Sequence, residues 1–174
     1  CGVVPALLLS MREKNLCSRA EMMQALYVAG GIGGVIAQRA SLSGAAGGCQ
    51  AEIGSASAMA AGAAASLLGG TPDQICHAAA MALSALMGLV CDPVAGLVEI
   101  PCVKRNVIGA MNAVSCADMA MAGITSQIPP DEVIDAMKAV GHAMSPDLKE
   151  TGRGGLAGTP TGQKIRESLL GGKE

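Results

Sequence analysis

The 174-residue chain contains no tryptophan and no phenylalanine, and Tyr27 is its only aromatic side chain. A core without rings must be filled by Ala, Leu, Val, Ile and the eleven Met, and small side chains imply closely packed helices. Runs of basic residues are missing too, and 12 Lys and Arg against 14 Asp and Glu leave a formal charge of -2. With neither a positive patch nor stacking platforms, nucleic acid is not an expected partner. The opening, Cys1-Gly2 followed by an apolar run through Leu9, has no initiator Met, no basic n-region and no small-residue cleavage site, so it is not read as a signal peptide. A cut inside a longer protein is the expected origin. None of the seven cysteines forms a C-x-x-C pair, which argues against a zinc knuckle, a ferredoxin run and a thioredoxin-type motif. An odd cysteine count without a secretory signal points to a reducing cytoplasm rather than a disulfide scaffold.

Two nearly uncharged stretches, Ile53 to Pro72 and Gln74 to Cys91, approach the length of a membrane span. They are dominated by Ala, Gly and Ser, and their flanks lack Lys/Arg clusters and aromatic belts, so they are expected to be buried helices and no membrane is expected. Helix starts are frequent elsewhere and strand signals nearly absent. Ser18-Arg19-Ala20-Glu21 reads as a capping box opening a helix towards Arg39, and Thr71-Pro72-Asp73-Gln74 opens one towards Val90. Pro101 opens a helix running towards Gly123, and Pro129-Pro130-Asp131-Glu132 one ending near Gly141, while Cys49 to Leu68 is Ala-rich and helical. The expected fold is all-α, a compact bundle of about six or more Ala/Gly/Met-rich helices forming a single domain over 1–174.

The run Gly30-Gly31-Ile32-Gly33-Gly34 lacks the third glycine of a nucleotide loop, since Ile36 stands there, and no strand precedes it. Its glycines instead suggest close approach of another backbone. The Gly/Thr-rich segment from Lys149 to Gly162 reads as a loop, either a solvated linker or one whose amides reach a ligand. Cys49, Cys91 and Cys102 stand where elements begin or end, beside Gly or Pro, whereas Cys17, Cys76 and Cys116 read as small core hydrophobes. Spacing alone leaves two options for the three, a shared metal site or packing. Three thiolates on a four-iron cluster would leave one iron without a protein ligand, free to act as a Lewis acid.

The segments SGAAGGCQAEIGSASAMAAG, GLVCDPVAGLVEIPCVKRN and GLAGTPTG resemble the signature segments of the α portion of iron-sulfur-dependent bacterial L-serine dehydratases, and the likeness extends over nearly all of residues 1 to 165. The resemblance implies a pyridoxal-phosphate-independent enzyme converting L-serine to pyruvate and ammonia. It further implies a 4Fe-4S cluster on Cys49, Cys91 and Cys102, whose free iron binds the substrate hydroxyl. In that family a second domain or partner chain supplies a Ser-His-Thr motif. This sequence has none, so the chain is expected to be truncated at its N-terminus, inactive alone and part of a homo-oligomer.

Within that reading Lys104 is the candidate general base, or else a charge compensating the cluster or pairing with Glu99. Arg105 is a candidate for the substrate carboxylate, or for a structural ion pair. Asn106 and Asn112 either line the site or bond neighbouring helices, Glu52 is a candidate neighbour of the cluster or else a helix N-terminal acid interacting with the dipole, and His77 and His142 look peripheral. The three ligand sulfurs are expected to converge, with the other four cysteines outside that group. Two alternatives remain open: a related cluster-dependent lyase acting on another small amino acid such as cysteine, and a structural helical module.

Overall fold

A computed structural model describes residues 1–171. It contains eight α-helices, α1 (Val3–Glu13), α2 (Arg19–Arg39), α3 (Gly44–Gly47), α4 (Ser55–Leu67), α5 (Pro72–Ala85), α6 (Cys102–Met121), α7 (Pro130–Ala143) and α8 (Pro160–Leu170). Among the described residues there is no strand, only an isolated parallel bridge between Cys91 and Lys149. The all-α expectation holds.

The helix starts follow from local chemistry. The Ser18 hydroxyl accepts from the Glu21 backbone N–H while the Glu21 carboxylate accepts from that of Ser18, so two of the orphan amides of α2 are satisfied. Thr71 and Gln74 do the same for α5, and Pro72, lacking an N–H, sits where none is needed. Pro130 plays that part in α7. Two expectations about length are corrected. Helix α5 stops at Ala85 rather than Val90, because Gly88 adopts φ +84° and donates its N–H to the buried Gln50 side chain. The segment expected to be loop up to Gly162 ends in α8, whose N-cap Thr159 accepts from Gly162 N–H.

Helix α4 is the axis of the bundle, packed by α1, α2, α5 and α6. Ten of its thirteen residues are buried, all of them Ala, Ser or Gly. A helix buried all round needs no polar stripe. Its small side chains let the neighbouring backbones come close, so dispersion contacts substitute for large apolar groups. The expectation that another backbone approaches the 30–34 glycines is corrected: Gly33 is packed under the Met59 side chain, not a backbone. A Cβ at Gly30, Gly31 or Gly34 would meet nothing within 4 Å. The stretches weighed as membrane spans are core helices here. By length and hydropathy α2 is a helix that can cross a membrane, and a minority of its residues are buried.

Since Ala60 is completely enclosed in the α4 core, Ala60→Leu is expected to destabilise the fold by about 1–3 kcal/mol through overpacking. Tyr27→Ala, at a side chain 78% exposed, should change stability by less than about 0.5 kcal/mol. Urea denaturation of the two variants checks both.

Candidate metal centre

Three separate segments bring the site together. The first is the turn ahead of α4. Helix α3 ends at Gly48, whose φ of +78° is a conformation that glycine tolerates, and a Cβ there would lie 2.6 Å from the Met144 sulfur and 3.0 Å from the Leu89 carbonyl oxygen. Cys49 follows, then a π-helical turn over Gln50–Gly54 that leads into α4. Such turns widen a helix locally and recur at functional sites. Gln50, fully buried, fixes this turn: its Nε2 donates to the carbonyls of Gly47 (2.9 Å) and Met137 (3.0 Å), and its Oε1 accepts from Gly88 N–H (2.8 Å).

The second segment carries Cys91. Its N–H donates to the Leu148 carbonyl at 2.8 Å and its carbonyl accepts from Glu150 N–H at 2.7 Å, so the backbone of Cys91 is tied to the 148–150 segment by an isolated parallel bridge. Asp92, next in the chain, has a side chain only 3% exposed. It accepts from Arg105 Nη1 at 2.6 Å and from Leu156 N–H at 2.7 Å. The third segment is the start of α6, where Cys102 is the first residue after the N-cap Pro101.

The Cys49 and Cys91 sulfurs and a Glu52 carboxylate oxygen lie within 4.8 Å of one another. Cys102 lines the same cavity, which encloses about 400 Å³. Cys91 S–H donating to the Cys49 sulfur is the main cause that holds the Cys49 thiol below its ordinary pKa. The Arg105 guanidinium adds to it, against burial and the Glu52 charge. Cys91 is pushed up, first by that hydrogen bond and then by burial. Cys102 is also pushed up, by burial and then by the Cys49 charge. Within the pair, then, the thiolate is favoured on Cys49 and the proton is favoured on Cys91. The two thiols are soft donors of the kind iron-sulfur centres use, and Glu52 adds a harder carboxylate oxygen beside them. Gly44 keeps its floor clear, since a Cβ there would sit 3.0 Å from the Cys91 sulfur and 2.9 Å from the Glu52 carboxyl carbon.

The other expected site residues divide. Asn106 lines the cavity, with Oδ1 accepting from Gly2 N–H (2.7 Å) and the Cys1 thiol (3.2 Å) and Nδ2 donating to the Cys102 carbonyl. Arg105 forms the structural ion pair with Asp92 and also donates to the Val90 carbonyl. Lys104 is exposed and outside the cavity wall. It stands two residues round the helix from both Cys102 and Asn106, which at 3.6 residues per turn is a different face. Asn112 bonds neighbouring helices, donating to the Ser57 hydroxyl and the Ala82 carbonyl. Glu52 faces the thiols as expected, and His77 and His142 lie outside the wall.

One expectation about cysteines is corrected: Cys76 is exposed rather than a core hydrophobe. Cys1 lines the cavity, where α1 starts against Asn106, and is not among the groups that meet within 4.8 Å. Residue types alone did not single out Gln50, Asp92, Ser55 or Glu150. The one local signal was a glutamine or an aspartate directly following a cysteine in an apolar stretch.

Comparison with known proteins agrees with this geometry. A family model described as serine dehydratase alpha chain matches residues 1–157. The chain is 58% identical to a Bacillus subtilis protein described as a probable L-serine dehydratase alpha chain, over 98% of this chain and 57% of that one. It is 51% identical to the L-serine dehydratase alpha chain of Peptoniphilus asaccharolyticus, over 97% of this chain and 58% of that one. Against the L-serine dehydratase of Streptomyces coelicolor the identity is 47%, over 90% of this chain and 35% of the relative. The chain thus spans little more than half the length of the first and second of these relatives, and about a third of the last. Matched along nine-tenths of its length, the chain belongs to the serine dehydratase alpha chain family.

Proposed function

We propose that this chain is the cluster-holding part of a pyridoxal-phosphate-independent L-serine dehydratase, with a 4Fe-4S cluster on Cys49, Cys91 and Cys102. The observation that carries the reading is the meeting of Cys49, Cys91 and Glu52 within 4.8 Å on a cavity that Cys102 also lines. Bound there, the cluster supplies a Lewis-acidic iron lacking a cysteine ligand, which eases departure of the serine β-hydroxyl. The residues of this chain do the rest of the positioning. Arg105 holds the 90–92 segment and favours the Cys49 thiolate, and Asn106 fixes the start of α1 and the first turn of α6. Glu52 and Glu150 make the wall acidic, which suits the ammonium of an amino-acid substrate.

Proton abstraction at the α-carbon falls to a group outside these residues, since Lys104 faces away from the wall. The resulting aminoacrylate hydrolyses to pyruvate and ammonia. A partner chain or further domain completes the substrate site, and the working enzyme is a homo-oligomer in the reducing cytoplasm, where all seven cysteines stay as thiols or ligands.

Anaerobic iron and sulfide analysis tests the cluster directly: about four of each per chain are expected, and their absence after reconstitution overturns the reading. Cys91→Ser should lose iron and turnover together, because an alcohol is a poorer ligand than a thiolate, whereas Cys116→Ser, inside α6, should keep both. Product analysis with serine, threonine and cysteine separates a serine enzyme from a lyase for another amino acid. Even fully loaded, the 174-residue chain should form no pyruvate from L-serine, and addition of the rest of the enzyme should restore it; robust turnover by the chain alone would place the base within it. Asp92→Ala, leaving Arg105 unpaired beside the site, should cost about 3–5 kcal/mol of stability in chemical denaturation and lower iron retention.

A further inference from the structure

Ser55 and Ser57 stand two residues apart near the start of the same buried helix, and their hydroxyls have different fates. Ser57 Oγ donates to the Gly109 carbonyl at 2.8 Å and accepts from Asn112 Nδ2 at 2.9 Å. Ser55 is equally enclosed, 1% exposed, yet its Oγ has no hydrogen-bond partner. A buried serine inside a helix ordinarily donates back to the carbonyl three or four residues earlier. Ser55 follows directly on the π-helical turn 50–54 and makes no such bond. A buried hydroxyl left unpaired is destabilising, and native proteins keep few of them without a functional reason.

The position of Ser55 supplies the reason. It lines the cavity that holds the three thiols, on one helical face with Glu52, Ala56 and Met59. It follows Cys49 by six residues, just past the π-helical turn. The charged side chains in the cavity wall are Glu52 and Glu150, and no Lys, Arg or His among the described residues lines it. Such a wall holds the cationic end of an amino acid and repels the anionic end. Asn106 has both ends of its amide engaged with protein groups, so Ser55 Oγ is the uncharged side-chain oxygen of the wall that lacks a partner in the ligand-free protein.

We propose that Ser55 is a substrate-contacting residue whose Oγ accepts a hydrogen bond from the α-ammonium of the amino acid in this cavity, with Glu52 supplying the compensating charge. The inference rests on the dehydratase reading above and names a specificity contact within it. An unpaired hydroxyl in the ligand-free protein has a distinctive consequence. Removing it should not weaken the empty fold, whereas it should weaken substrate binding.

The experiment uses the complete, cluster-loaded enzyme with Ser55→Ala and Ser55→Cys, the second nearly isosteric but a poor acceptor. Both variants should raise KM for L-serine about ten- to a hundredfold, the loss expected for a hydrogen bond to a charged group, with kcat changed less than threefold. The melting temperature of the ligand-free protein should be unchanged or higher for Ser55→Ala. Unchanged KM in Ser55→Ala overturns the assignment, as does a fall in melting temperature and kcat with KM unmoved, which would make Ser55 a packing residue. Retention of wild-type KM by Ser55→Cys overturns it too, because volume rather than hydrogen bonding would then be what the site needs. Failure of the wild-type enzyme to make pyruvate from L-serine would instead sink the dehydratase reading and this contact with it. Wild-type turnover with an unmoved KM in the variants sinks the Ser55 contact alone.

Discussion

The Asp92 carboxylate is the charge around which the site is assembled. Nearly excluded from water, it joins the segment bearing Cys91 to α6 through Arg105 and to the 155–158 turn through the Leu156 amide. Gly155 is pressed so closely against it that a side chain there would collide with the carboxylate. Removing two charges from water is expensive, and a pair of this kind adds little net stability. Its value here is geometric: Cys91 precedes Asp92 directly, and Cys102 lies one helical turn before Arg105. One ion pair therefore sets the separation of two thiols that the chain itself leaves far apart.

The Gln50 side chain does the equivalent for Cys49 without any charge. By bonding to the carbonyls of Gly47 and Met137 and the amide of Gly88, it ties the cysteine turn to α7 and to the strand-like run that leads into Cys91. Buried polar groups that are fully satisfied specify a single arrangement, because each alternative leaves one of them unpaired. The arrangement of the thiols is thus determined by two polar hubs, one charged and one neutral, set in a core made mostly of alanine and aliphatic side chains.

How far the sequence reveals this depends on the range of the forces involved. The starts of α2, α5 and α7 are legible because capping residues and proline act within four positions of themselves. That Cys49 and Cys91 belong together is what the resemblance of their segments implies, and they do meet. The early end of α5 is not legible, since it is decided by a glutamine 38 positions away. Nor does residue type say which of two candidate roles Arg105 takes, because only the fold reveals Asp92 within reach. The same holds for Lys104, whose direction depends on the phase of α6 relative to the cavity. Cys76 is exposed against expectation for a similar reason: burial belongs to the assembled bundle, while composition is a property of the local stretch.

A central helix made almost wholly of alanine, serine and glycine also shapes how this sequence can drift over generations. On the solvent side of α2, where Tyr27 and the open glycines stand, many replacements are free to accumulate. Along α4 each added methylene presses on a neighbouring backbone, and any compensating change must shorten a side chain that is already short. Divergence among proteins of this architecture should therefore concentrate on the outer helices, with the axis that abuts the thiols changing last.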